Sequence, residues 1–341
     1  MSNVVDTPVK YVDIHHKENN RNVLVSFQDI RVSFKHGIYD RVIIDHLNLD
    51  IYKGEILGLV GESGSGKTTI GRALIRIIPT SGGKILYGDG ENKEVISGKI
   101  KKDRARNLKT KIQMIFQDPS ASLNDRSNVD YIISEGLRAF HLYKDEAERL
   151  EKVEKMIRRV GLSPEHLKRY PHEFSGGQRQ RIGIARCMIM DPEMIIADEP
   201  ISALDVSIRA QVLNLIKEFR DERGLTVLFI AHDLSVVKYI SDRIAVIYQG
   251  RLVELCPADR LFEVPLHPYT KSLLSAIPLP DPKLEKNKVV TIYNPAQHNY
   301  TKEDPADFYE VEPHHYVNCN LEELAHYKSI IKELKEGGKN E

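Results

Sequence analysis

The sequence predicts an α/β fold. A doubly wound parallel core is preceded by an antiparallel β subdomain, interrupted by a helical subdomain and followed by a C-terminal extension. Three observations predict it. Almost wholly apolar runs of strand length, Glu55–Val60, Lys111–Phe116, Met194–Ala197 and Thr226–Ala231, have the composition of strands buried on both faces of a parallel sheet. The last two each follow a helix-like stretch, which gives β-α alternation. Ahead of them, Val23–Phe27, Ile30–Phe34 and Val42–Ile44 are strand-like, and turn-prone Lys35-His36-Gly37 parts the last two. Between Asp118 and Tyr170 the strand signals vanish, and Asp130–Phe140 and Lys144–Val160 carry helical spacing.

The remaining segments follow from composition. Residues 1–22 are polar and mixed in charge, with little to bury, and are expected to form a flexible arm. The main unit is expected over 23–250, with its helical subdomain over about 118–170, and the extension over 251–341. Past Arg251 the order loosens, as Pro257, Pro265, Pro268, Pro278, Pro280 and Pro282 break the chain, before Leu321–Leu334 forms a final amphipathic helix. Lys99–Lys111, with seven basic residues and one acid, reads as a solvated surface loop, with anionic lipid or a partner's loop as the alternative contact.

Bulk properties exclude several classes. The 341 residues suffice for one large α/β domain with an appendage, or for two ordinary domains. With 49 Lys+Arg against 49 Asp+Glu, the chain lacks the basic surplus of a nucleic-acid binder. Cys187, Cys256 and Cys319 lie far apart, so neither a disulfide framework nor a zinc pattern is evident. No apolar run approaches the roughly 20 residues that cross a bilayer, and the N-terminus is no signal peptide. A soluble intracellular protein is expected.

The chemistry starts at Gly61-Glu62-Ser63-Gly64-Ser65-Gly66-Lys67-Thr68, which fits the P-loop pattern without a mismatch. A buried strand precedes it and helix-forming Thr69–Ile77 follows, as a P-loop NTPase core requires. Glycines let backbone N–H groups curl around phosphate oxygens, and the helix adds its positive N-terminal end. The expected nucleotide-binding set is Gly61, Ser63, Gly64, Ser65, Gly66, Lys67, Thr68 and Thr69. Lys67 would neutralise β/γ-phosphate charge and the Thr68 hydroxyl would ligate Mg2+. Met194–Ala197 ends in Asp198-Glu199. Asp198 is suited to hold Mg2+ through water, and Glu199 to orient or deprotonate an attacking water; the alternative is a helix cap by either acid.

Ser175-Gly176-Gly177-Gln178 also feeds a helix N-terminus and is a second candidate phosphate device. Taken alone, Ser175 with Gln178 three residues on is an ordinary capping box. Two cradles leave two explanations: a second nucleotide in the chain, or a composite site built from two chains. The lack of a second Lys-Thr P-loop favours the composite.

Together these segments resemble the ATP-binding subunit of ABC transporters over roughly Val23–Ala276. Ser175–Gln178 is similar to the family's signature loop, Gln117 to its Q-loop glutamine, Ser202-Ala203-Leu204-Asp205 to its D-loop and His232 to its switch histidine. The resemblance implies ATP clamped between two subunits, with Lys67 and Thr68 of one facing Ser175–Gln178 of the other. It implies catalysis by Glu199, His232 and Lys67, and Mg2+ held by Thr68, Gln117 and Asp198. Phe34 is the candidate for stacking on adenine, with Tyr39 second and β-layer packing the alternative for both.

Beyond these, His267-Pro268-Tyr269-Thr270 through Pro278, and Leu279-Pro280-Asp281-Pro282 after it, resemble the C-terminal extension of oligopeptide, dipeptide and nickel importers. Gln117–Asn124 resembles that group's F-type subunit. A plain linker is the alternative for the proline-rich part. The resemblance implies an ATPase that energises oligopeptide import from the cytoplasmic face of the membrane. Its partners would be a homologous ATP-binding subunit in a heterodimer, two transmembrane permease subunits and, indirectly, an extracellular peptide-binding protein, with no nucleic acid. Dipeptide or nickel import, a soluble non-transport ABC ATPase and a poorly hydrolysing subunit of a heterodimer are the alternatives. Many relatives carry a cysteine cluster for an iron–sulfur centre, which needs about four thiolates; here Cys319 stands alone, so no cluster is expected.

Overall fold

In the computed structural model, residues 22–36, 39–202, 204–278 and 288–337 are described. The expected arm before Asn22, Gly37 of the first turn, Ala203 and Leu279-Pro280-Asp281-Pro282 lie outside them. The first two strands, β1 (Val23–His36) and β2 (Tyr39–Tyr52), pair as one antiparallel hairpin. Sequence reading splits β1 at Gln28-Asp29; the structure runs it through as a single strand. Its register shifts between Phe27 and Ile30, where Asp29 takes a left-handed φ of 52°. Cross-strand bonds hold that bulge: the Asp29 N–H donates to Asn48 Oδ1 (2.8 Å), and Asp29 Oδ1 pairs with His46 Nδ1 (2.6 Å). Turn-like polar residues here mark a bulge and not a strand end.

Next come β3 (Ile56–Val60) and α1 (Lys67–Leu74), then β4 (Gly82–Tyr87) and the short β5 (Glu94–Val95), which complete a four-stranded sheet of order β2-β1-β4-β5. The basic stretch expected as a loop is instead the helix α2 (Lys102–Lys111). Unbranched Lys and Arg side chains are good helix formers, Leu108 supplies a buried anchor, and ion pairs Arg104–Glu94 (2.7 Å) and Lys111–Glu193 (2.6 Å) fasten both ends.

After β6 (Ile112–Ile115) the helical subdomain holds α3 (Pro119–Ser122), α4 (Val129–Phe140) and α5 (Glu146–Arg159). Asp118, Asn128 and Asp145 cap these helices with side-chain oxygens on early N–H groups. Arg149, nearly buried, ties α5 to α4 through Asp130 (2.7 Å) while also holding Glu146 (2.7 Å). A Cβ on Gly136 would collide with Met190 Sδ, which is why glycine stands where α4 packs on Met190.

The core then alternates: α6 (Gly176–Met188), β7 (Met194–Asp198), α7 (Val206–Arg223), β8 (Thr226–Ile230), α8 (Leu234–Ile240) and β9 (Arg243–Tyr248). Past the Gln249-Gly250 turn the expected loosening does not begin at once: regular elements continue through Ser275, and among the described residues, 288–306 hold only one short turn of helix. Arg251–Pro257 is β10, antiparallel to β9, followed by α9 (Ala258–Glu263), α10 (Pro268–Ser275), β11 (Asp307–Glu312), β12 (His315–Cys319) and α11 (Leu321–Gly337). One eight-stranded sheet results, in the order β11-β12-β10-β9-β3-β8-β7-β6, whose strands β9, β3, β8, β7 and β6 are parallel. The expected boundary at 250/251 thus falls in the turn between two paired strands. The α/β class with separate antiparallel and parallel-containing sheets is as the sequence predicts.

Because side chains alternate along a strand, the parallel strands feed two cores. Ile56, Ile195, Ala197, Val227 and Phe229 face one with α4, α5 and α6; Leu57, Leu59, Ile196, Leu228 and Ile230 face the other, beneath the antiparallel sheet. A buried ion pair joins the two sheets. Arg243 reaches Glu55 through Nε and Nη2 (both 3.0 Å), donates to the Asp50 carbonyl (2.7 Å) and stacks over Tyr52. Arg243→Ala leaves the buried Glu55 carboxylate without its counter-charge, so a loss of about 3–5 kcal/mol is expected, read as a lower urea midpoint. An unchanged midpoint would show that the pair does not join the sheets.

Candidate functional site

The carboxyl ends of the parallel strands converge on one edge of the sheet. From β3 the chain enters Gly61–Gly66 and turns directly into α1. Gly66 forms the N-cap with φ 105°, and a Cβ there would collide with Ile44 Cδ1, so only glycine fits. The first helical bond runs from the Ile70 N–H to the Gly66 carbonyl (3.0 Å), leaving the N–H groups of Lys67, Thr68 and Thr69 at the helix start. Lys67 is buried, and its Nζ donates to the carbonyls of Gly61 and Glu62 (both 2.8 Å). Burial pushes its pKa down, against the pull of Glu199, Asp198 and Glu62. Glu62, Ser63 and Gly64 are exposed, whereas Gly61, Ser65 and Gly66 are buried.

Two contacts that sequence reasoning misses hold the loop from behind. The Gly250 N–H donates to the Ser65 carbonyl (3.0 Å), and the Glu62 N–H donates to the Tyr269 hydroxyl (2.9 Å). The Gln249-Gly250 pair is a readable turn signal, but its contact with the loop is not local in sequence.

Asp198 ends β7, fully buried, and its Oδ1 accepts from the Thr68 hydroxyl (2.9 Å). Burial pushes its carboxyl pKa up, partly offset by Thr68 and Arg72. Glu199 follows in a left-handed conformation (φ 45°), its N–H donating to the Ile230 carbonyl (2.9 Å). A non-glycine residue held at positive φ stores strain, of the sort that clusters at functional positions. Its Oε2 accepts from Gln117 Nε2 (2.9 Å) and lies 3.3 Å from His232 Nδ1. Thus residues following β6, β7 and β8 meet on one carboxylate, with the His232 side chain 61% exposed and open to a ligand. The Thr68 hydroxyl and the Asp198 carboxylate are adjacent hard oxygens, a donor set that fits Mg2+. The Gln117 amide is turned toward Glu199.

Ser175 caps α6 as a reciprocal capping box: its Oγ accepts from the Gln178 N–H (3.3 Å) and Gln178 Oε1 accepts from the Ser175 N–H (3.0 Å). Arg179 fixes this turn to the helical subdomain through the Ser120 hydroxyl (2.8 Å). Ser175 and Gly176 are exposed, and among the described residues no hydrogen bond joins this helix start to Gly61–Thr69. Ser202 donates to the Glu199 carbonyl (3.1 Å), and Asp205 caps α7 through the Ile208 N–H (3.0 Å). Phe34 lies on β1 opposite Arg41, 44% exposed, on the hairpin whose Ile43-Ile44 abuts Gly66. The Tyr39 side chain is outside the described residues.

The three cysteines are free and buried, and burial pushes the thiol pKa up in each, to about 12 for Cys319. Glu254, Cys256 and His315 place possible ligand atoms within 4.8 Å of one another. The Glu254 oxygens already accept from the Leu266 N–H (2.9 Å) and the His267 N–H (3.1 Å) and pair with His315 Nε2 (2.7 Å), so the carboxylate is satisfied by protein donors.

Comparison with known proteins places these features. Residues 44–202 match the family described as ABC transporter, and residues 253–302 match the oligopeptide/dipeptide transporter, C-terminal region. The chain is 59% identical over 305 residues to the oligopeptide transport ATP-binding protein AmiF of Streptococcus pneumoniae, spanning 89% of this chain and 97% of that one. It is 59% identical over 281 residues to the oligopeptide transport ATP-binding protein OppF of Bacillus subtilis, with 82% and 91% covered. The dipeptide transport ATP-binding protein DppF of Lactococcus lactis is 50% identical over 287 residues, with 84% and 90% covered. Among solved structures, cbiO1 of Clostridium perfringens, part of the ABC transporter complex cbiONQ, has a TM-score of 0.61 at 26% identity, covering 71% of this chain and 91% of that one. A dimeric ATP-binding cassette in a post-hydrolysis state with ADP and phosphate shares the fold, with a TM-score of 0.62 at 24% identity, covering 69% and 99%. No helix among the described residues is long and apolar enough to cross a membrane.

Proposed function

The chain belongs to the ABC transporter family, among its oligopeptide transport ATP-binding subunits, and from that premise we propose how its residues divide the work of hydrolysis. It is an ATPase whose turnover energises peptide import through membrane permease partners. Carrying the reading is the meeting of Gln117, Glu199 and His232 on one carboxylate beside the Lys67, Thr68 and Asp198 group.

ATP phosphates lie along Gly61–Thr69, where Ser63, Gly64, Ser65, Gly66 and the first turn of α1 supply N–H donors. Lys67 exchanges its loop carbonyls for phosphate oxygens, which returns a counter-charge to a buried ammonium. Thr68 and Asp198 would hold Mg2+, with Gln117 as a third candidate ligand, and the ion would neutralise phosphate charge. Glu199 accepts the proton of the attacking water, and His232, 3.3 Å from that carboxylate, orients water and γ-phosphate together. Phe34, exposed on the hairpin beside Gly66, stacks on adenine.

Ser175, Gly176, Gly177 and Gln178 complete the site of a homologous subunit; in support, Ser175 and Gly176 are exposed and so accessible to a partner's nucleotide. The pair is a heterodimer with that homologue, peripheral at the cytoplasmic face, with two permease subunits above it and an extracellular peptide-binding protein beyond. The unit is a cassette over 23–250 and an importer-type extension over 251–341. Oligopeptide cargo is favoured over dipeptide by the 59% identity to AmiF and to the Bacillus subtilis OppF against 50% to DppF. No iron–sulfur cluster is bound, since Cys319 is the lone cysteine after β10.

Glu199→Gln keeps the shape and removes the base. Turnover should fall by about 10²–10⁴-fold, while ATP affinity is retained and an ATP-dependent dimer accumulates in size-exclusion chromatography. Hydrolysis near the original rate would remove Glu199 from the role. Purified protein should contain no iron or acid-labile sulfide; stoichiometric amounts of both would contradict the cysteine reading.

A further inference from the structure

The C-terminal region returns to the phosphate loop from behind, by a route fixed in buried polar groups. Glu254 on β10 accepts the N–H groups of Leu266 and His267. His267 then caps α10, its Nδ1 accepting from the Tyr269 N–H (3.1 Å), and Pro268 occupies the first turn. The Tyr269 ring, fully buried, is set between Tyr248 (centroids 4.6 Å) and Tyr293 (5.5 Å). Its hydroxyl is thereby delivered to the Glu62 N–H at 2.9 Å. The carbonyl of that same residue, with that of Gly61, holds Lys67 Nζ at 2.8 Å.

We infer that Tyr269 is a positioning residue for ATP binding: its hydroxyl pins the Gly61-Glu62-Ser63 backbone, and through it Lys67, in the shape that receives phosphate. This rests on the ATP site proposed above. A glycine-rich loop has few side chains to fix it and must lose backbone entropy when it closes on an anion. A hydrogen bond from a rigid, buried ring removes part of that freedom beforehand, so less is lost on binding. The phenol stays neutral at physiological pH, since burial pushes its pKa up to about 12. The hydroxyl acts on one N–H that is spent on Tyr269 and on no phosphate, so its effect reaches substrate only through the loop.

Tyr269→Phe tests this in the full chain with whatever subunit co-purifies, because it keeps the ring and deletes the bond. Affinity for a fluorescent ATP analogue should weaken about three- to tenfold, and KM for ATP should rise in step, with kcat within about twofold. The thermal midpoint should stay close to that of the unsubstituted protein. Tyr293→Phe, in the same aromatic cluster but without a bond to the loop, should leave ATP affinity unchanged. Equal shifts in both variants, or an unchanged affinity in Tyr269→Phe, would overturn the inference. Failure of the unsubstituted protein to bind ATP would instead overturn the site itself. Independently, the Glu62 amide should exchange slowly with deuterium in the unsubstituted protein, and rapid exchange would contradict the pinning.

Discussion

Five parallel strands ending at one edge of a sheet are the constraint on which the rest of this protein depends. The order β9-β3-β8-β7-β6 sends the chain out at the same edge after each strand. Residues separated by more than a hundred positions therefore arrive side by side. Thr68 follows β3 and meets Asp198 at the end of β7; Gln117 follows β6, Glu199 follows β7 and His232 follows β8. No loop search is needed to assemble them, and strand pairing aligns the backbone from which each side chain projects. This is the general logic of sites at the carboxyl ends of open α/β sheets.

That arrangement buries charge, and the charge is costly. Burial pushes the Lys67 pKa down and the Asp198 pKa up, the directions expected when ions lose water. Protein dipoles offset part of the cost: two loop carbonyls for the lysine, the Thr68 hydroxyl for the aspartate. Metal and triphosphate are the complementary groups that such a pair of buried ions would favour. Glu199 adds backbone strain at the same spot, held by its bond to Ile230 and by the rigid end of β7. The second sheet and the C-terminal region frame the edge from outside, through Ile43-Ile44, Gly250 and Tyr269.

What was legible in the sequence was what is local. The P-loop spacing, the apolar parallel strands, the Asp198-Glu199 end of β7 and the Ser175–Gln178 helix start each declare themselves within about ten residues. Thr68, Gln117, Asp198, Glu199 and His232, whose side chains meet at this edge, are all candidates from the sequence. Less legible were features set by distant partners. Asp29 looks like a turn until Asn48 and His46 are opposite it; then it is a bulge within one long strand. Lys99–Lys111 looks like a loop, yet Lys102–Lys111 is a helix anchored by Leu108 with most of its charges exposed. The prolines after Arg251 suggest loosened order, yet Pro257 sits at the end of β10 and Pro268 at the first turn of α10, where a missing N–H costs nothing. Tyr269 on Glu62 spans 207 positions and carries no local signature.

The two helix starts that suit phosphate, α1 and α6, are unconnected by hydrogen bonds among the described residues, and the second is presented to solvent. In the function proposed above, a triphosphate is gripped by both from two different chains, and catalytic power becomes a property of the pair. The most direct measurement is the ATPase rate per chain across a dilution series. The account predicts a rate per chain that falls as dilution separates the pair. A rate per chain that stays constant, in a preparation shown by light scattering to be monomeric, would contradict it.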